Sequence, residues 1–147
     1  MSIFPTTILL ATDGSPEARL AASTASDLAQ RTNSELHVAT VGPDLPLYEL
    51  PDYPARFEDV LQEHRREAKK VLEQQVKRIR ESGGTVNETH LREGRADEGI
   101  IELAEEIGAG LIVMGSRGHG RIRRALMGSV SESVVRHANC PVTIVRQ

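Results

Sequence analysis

Five short strand-like runs, separated by four longer segments, set the architecture this chain can adopt: "TTILLATD", "SELHVATVG", "TVNETHLREG", "LIVMG" and "PVTIVR". In the segments between them, apolar residues recur every three or four positions, the spacing of one helix face. Strict alternation of strand and helix predicts an α/β domain with one open, five-stranded parallel sheet. Parallel neighbours need a crossover, and right-handed crossovers put helices on both faces. The fully apolar "LIVMG" shows no alternation and so reads as a central strand covered on both sides. With 147 residues, residues 1–147 fit a single domain able to bury its own core. Aromatic residues are only 3% and Trp is absent, so that core has to come from Val, Ile, Leu and Ala.

The helix boundaries carry local signals. Ser15 before Pro16 is an N-cap followed by a residue with no amide to leave unpaired. Ala18, Ala21, Ala22, Ala25, Leu28 and Ala29 then form the inner face. In the second helix, Phe57, Leu61, His64, Ala68, Val71, Leu72, Gln75 and Ile79 form a stripe interrupted only by His64 and Gln75, and Gly83-Gly84 ends it. Between strand two and this helix, residues 43 to 54 hold four of the seven prolines, which marks a surface loop. The third helix turns Ile100, Ile101, Leu103, Ala104 and Ile107 inward.

Composition narrows the chemistry. The single cysteine, Cys140, excludes an internal disulfide and a four-cysteine zinc site, and its place before Pro141 reads as a small buried hydrophobe. His37, His64, His90 and His137 show neither H-x-x-x-H spacing nor partner cysteines, so no metal-ligating side chain is expected from local spacing. "MSIFPTTILLATDG" lacks a basic, extended signal-peptide pattern and no run approaches a membrane span, so the expected location is cytoplasmic. A net charge of -3 argues against a dedicated nucleic-acid binder.

One stretch stands out against that mild charge. Between Gly115 and Gly128 the chain carries Arg117, Arg121, Arg123 and Arg124, with no acid. Gly115-Ser116-Arg117-Gly118 leaves a strand with residues that allow main-chain amides to approach a ligand closely. Gly128-Ser129 opens the last helix, whose first N–H groups and positive dipole end favour anions. In an open parallel sheet, ligands bind beyond the carboxyl ends of strands where the strand order reverses. The loop with Asp13-Gly14 and the glycine–arginine loop would meet there, with a phosphate chain held between Gly118 and Gly128 and His119 as either a further contact or a solvated side chain. Neither G-x-x-x-x-G-K-[ST] nor a complete G-x-G-x-x-G is present.

Gly115-x-x-Gly118, nine residues, then Gly128-Ser129, together with "ILLATDGS" and "LIVMGSRGHGRIRRALMGSVSESVVRHANCPVTIVR", resembles the ATP-binding branch of the universal stress protein family over essentially the whole chain. The resemblance implies a Rossmann-like, adenine nucleotide α-hydrolase-like fold and ATP with Mg2+ as ligands. It would place Asp13 near the adenosine and Val41 with backbone groups toward adenine. Met114, apart from the resemblance, reads as either an adenine contact or a filler of core gaps, and Arg117 as either a phosphate partner or a solvated loop residue; the resemblance itself would have Gly115 and Gly118 line the nucleotide and Gly128, Ser129, Val130 and Ser131 hold phosphates through amides and hydroxyls. It also implies a homodimer through the last strand, Val142 to Val145, and a regulatory role in stress response. The sequence departs from the family at Gly110, where an acid usually precedes the "LIV" strand. The residues themselves leave three functions open: a nucleotide-dependent regulatory module, a slow ATPase or transferase for which no base is evident, and a nucleotide-free interaction protein.

Overall fold

A computed structural model describes residues 1–42, 54–116 and 128–147. The chain runs β1 (Thr7–Ala11), α1 (Pro16–Thr32), β2 (Glu35–Val41), α2 (Phe57–Glu81), β3 (Glu88–Arg92), α3 (Ala96–Ile107), β4 (Leu111–Gly115), α4 (Ser129–His137) and β5 (Val142–Val145). All four pairings are parallel and the sheet order is β3-β2-β1-β4-β5. Each strand and helix expected from the sequence is present in this order.

Alternation along the strands divides the core in two. Ile8, Leu10, Leu36, Val38, Leu111 and Val113 pack with Ala21, Ala22 and Ala25 of α1 and Leu72, Val76 and Ile79 of α2. Leu9, Ala11, Ala39, Ile112 and Met114 pack on the other face with Ile100, Leu103 and Ala104 of α3 and Val134 of α4. Central strands buried on both faces therefore need apolar residues at successive positions, as β1 has from Ile8 to Ala11 and β4 from Leu111 to Met114. The alanine face of α1 lets that helix lie close to the sheet. Each fully buried Leu, Ile or Val contributes about 1.5–3 kcal/mol relative to exposure.

The caps behave as their residues dictate. The Ser15 hydroxyl accepts the Ala18 amide at 3.2 Å with Pro16 in the first turn, and Asn33 closes α1 in the left-handed region at φ 56°. Gln75, an apparent break in the α2 stripe, is buried and its Oε1 accepts the Thr12 hydroxyl at 3.1 Å. The stripe of α2 is deeply buried only in its second half, at Leu72, Gln75, Val76 and Ile79. Gly110 has a packing reason: a Cβ there would lie 2.2 Å from the Thr6 hydroxyl oxygen, so no larger residue, acidic or otherwise, fits without displacing β1's start. The Cys140 side chain packs against the α3–α4 core cluster, and burial raises its thiol pKa, which suits an unreactive residue.

Candidate functional site

The sheet order reverses between β1 and β4, so a crevice opens where the chain leaves these strands in opposite lateral directions. Three segments converge on it: residues 12–15 after β1, residues 115–116 after β4, and the first turn of α4.

On the β1 side the chain turns tightly. The Asp13 carboxylate accepts the Ser15 amide at 2.9 Å, and the Gly14 amide donates to the Thr12 hydroxyl at 3.2 Å. Gly14 sits at φ +79°, where a side chain is strained, and a Cβ would meet Val71 Cγ1 at 3.2 Å. Asp13 itself is exposed. The β1–β2 ladder ends with the Thr12 amide on the Ala39 carbonyl at 2.9 Å, while the Thr12 carbonyl accepts the Thr40 hydroxyl at 3.1 Å. Peptide groups alternate direction along a strand, and the Gly42 amide points to the Arg92 carbonyl of β3. The peptide groups of Val41 therefore point to the opposite, β1 side, past the last rung, which suits the backbone role expected of it.

On the β4 side Gly115 approaches α1 so closely that a Cβ would lie 3.0 Å from Glu17 Cβ and 3.1 Å from the Glu17 carbonyl carbon. Helix packing alone accounts for this glycine. Ser116 is 2% exposed and its hydroxyl donates to Glu17 Oε2 at 2.5 Å, joining the loop after β4 to the first turn of α1. The Ser116 carbonyl accepts both the Gly128 amide at 2.6 Å and the Ser131 hydroxyl at 2.5 Å. These bonds clasp the start of α4 against the end of β4.

Gly128 is the N-cap of α4 and offers no side-chain cap. The amides of Ser129, Val130 and Ser131 in this first turn have no acceptor within the helix, which makes the end a seat for an anion. The orientation of α4 is fixed farther along, where the Ser133 hydroxyl donates to Asp97 Oδ2 at 2.7 Å and Arg95 pairs with the same carboxylate at 3.0 Å. Those bonds, the Ser133 hydroxyl foremost, hold Asp97 below the ordinary carboxylate pKa.

The expected residues thus divide. Asp13, Gly115, Gly128, Ser129, Val130 and Ser131 lie on the segments that leave β1 and β4 and open α4, and Val41 ends β2. Two of the expected roles need correction. The Ser131 side chain is 2% exposed and its hydroxyl is spent on the Ser116 carbonyl, so only its amide faces ligand duty. Met114 is 6% exposed and fills the α3–α4 side of the core, because strand alternation turns it away from the loops. Arg117, Gly118, His119, Arg121, Arg123 and Arg124 lie outside the described residues, as does the proline-rich segment to residue 53. No pattern in the sequence singles out Glu17, because its partner stands 99 residues away.

Comparison with known proteins agrees with this arrangement. The model of the universal stress protein family matches residues 5–146, and the chain belongs to that family. A universal stress protein of Thermus aquaticus is 38% identical over 143 residues, covering 95% of this chain and 98% of the relative. The universal stress protein UspA of Lactobacillus plantarum superposes with a TM-score of 0.83 at 26% identity, covering 99% of this chain and all of the other. The structure of the Archaeoglobus fulgidus universal stress protein in complex with dAMP gives 0.66 at 27% identity, over 98% and 99% of the two chains. A universal stress protein in complex with cAMP gives 0.68 at 26% identity, over 97% and 98%. Among the described residues no helix is long and apolar enough to cross a membrane.

Proposed function

We propose that this protein binds an adenine nucleotide, ATP with its Mg2+, and acts as a cytoplasmic nucleotide-dependent regulatory module in stress response. The observation that carries the reading is the uncapped first turn of α4, held by the Ser116 carbonyl at the sheet's switch point. Phosphates would take the amides of Ser129, Val130 and Ser131, and adenine the peptide groups of Val41. Asp13 would lie by the ribose. Related proteins complexed with cAMP and dAMP support the adenine preference. The described crevice supplies main-chain donors suited to phosphate, and Asp13 is its one exposed carboxylate among the described residues, so Mg2+ would be held chiefly by the phosphates themselves. The lateral edge of β5, which among the described residues pairs with β4 alone, would carry the homodimer.

Nucleotide binding to the native state alone raises stability by about 2.7 kcal/mol at 100 times the dissociation constant. In a domain of this size each kcal/mol moves the melting temperature by roughly 2–4 °C. A thermal melt with Mg-ATP should therefore rise by several degrees and a melt with Mg-GTP by less. No shift with any adenine nucleotide at millimolar concentration would overturn the assignment and favour a nucleotide-free interaction protein. Phosphate release measured on the same samples decides whether bound ATP is also hydrolysed.

A further inference from the structure

A second cluster of chemically capable side chains lies away from the crevice, on the α3 side of the sheet's β2–β3 edge. The register pairs His37 with Glu88 and Ala39 with His90. In a parallel pair, register partners share a face and so do residues two apart, so His37, Glu88 and His90 rise together from two adjacent strands. His37 Nδ1 and His90 Nε2 are 3.0 Å apart. Glu88 Oε2 is 3.3 Å from the first and 3.8 Å from the second. His37 is 6% exposed, whereas Glu88 keeps 61% of its side chain in solvent.

We propose that His37 Nδ1, His90 Nε2 and the Glu88 carboxylate form a binding site for a divalent transition-metal ion of the zinc class. The distances are within half an ångström of those such an ion requires. With metal–nitrogen bonds of 2.0–2.1 Å and tetrahedral angles, ligand atoms stand about 3.3–3.4 Å apart. The carboxylate already meets that spacing to one ring and lies within half an ångström of it to the other. The two imidazoles must separate by a few tenths of an ångström. Their ring centres are 5.3 Å apart with planes inclined by 14°, the arrangement of one ring donating N–H to the other. On metal binding, the ring that holds the bridging proton carries it on its other nitrogen, so both rings present a lone pair. Two imidazoles with one carboxylate suit zinc and its neighbours in the first transition row, and suit calcium or magnesium poorly.

The surroundings permit the added charge. Arg92, the nearest cation along β3, is bound to Glu106 through two hydrogen bonds of 3.2 and 2.8 Å. The exposed Glu88 gives the ion a route in and leaves a coordination position for water. His37 lies four residues before Val41, roughly 13 Å along the strand from the sheet's carboxyl edge, so this site stands apart from the nucleotide crevice and does not depend on it.

The test uses full-length protein stripped with EDTA, dialysed free of it and titrated without nucleotide. Cobalt(II) should produce visible ligand-field bands that saturate stoichiometrically and disappear when zinc is added. Zinc affinity, measured against a chromogenic chelator, should fall in His90→Gln and in Glu88→Gln by more than the roughly 10–100-fold typical of losing a supporting partner. His64→Gln, on α2, should leave it unchanged. Glu88 is exposed, so Glu88→Gln keeps the fold and decides the matter if His90→Gln melts. Absence of stoichiometric cobalt bands, or zinc affinity unchanged in both variants, overturns the proposal.

Discussion

At the carboxyl ends of β1 and β4 the described residues offer chiefly main-chain donors in the open first turn of α4, whereas the β2–β3 edge carries two imidazoles and a carboxylate. The first region owes its chemistry to topology. Any sequence that reverses its strand order there and starts a helix with an uncapped turn will present similar donors. The second owes its chemistry to register, since slipping β3 by one residue would send Glu88 and His90 to the other face. A site made of amides tolerates changes of side chain provided the backbone holds its path. A site made of side chains is lost with a single substitution.

The comparison can be broken most strongly at the crevice. Ser116→Ala removes the hydroxyl that meets the buried Glu17 carboxylate and should cost about 1–3 kcal/mol. Thermal unfolding should show a drop of several degrees, together with a smaller Mg-ATP shift, and zinc binding at the β2–β3 edge should be unaltered. An unchanged melt would mean that the Ser116 hydroxyl adds nothing to the joining of β4 and α1. Gly14→Ala acts through the backbone: at φ +79° and with Val71 close by, it should destabilise by about 1–2 kcal/mol in a urea titration. A neutral result there would place the turn in a conformation open to any residue.

The smallest expected effect sharpens the picture of α4. Asp97 has a folded-state pKa below its unfolded value, so its contribution is present above the unfolded carboxylate pKa and is lost as pH falls through the folded one. Urea midpoints of the protein should therefore decline over the acid range more steeply than those of Asp97→Asn. At neutral pH the two should differ by about 1 kcal/mol or less, because the Arg95 partner is largely exposed. Parallel acid profiles would show that Ser133 and Arg95 do not hold α4 through this carboxylate.

How far the sequence reading reached follows the same division. Element order could be read from periodicity and caps, and the place of the loops after β1 and β4 from the switch-point rule, which are local patterns plus one rule of topology. Residues such as Glu17 and Ser116 could not be paired, because their contact depends on how closely α1 settles beside β4. His37 and His90 lie 53 residues apart, and no spacing within either strand announces that register brings their nitrogens together. Ser131 was misjudged for a related reason: a hydroxyl near a helix start can serve a ligand or the chain, and only the position of the Ser116 carbonyl decides which.

The clasp at Ser116 has a consequence for how such a chain can vary. Residues 116 and 128 meet in one hydrogen bond, so any chain joining them has its two ends fixed close together, whatever its length. Doubling the length of a chain segment closed between fixed ends adds only about 0.6 kcal/mol of entropic cost. Insertions and deletions between these two residues can therefore accumulate at little cost to the seating of β4 and α4.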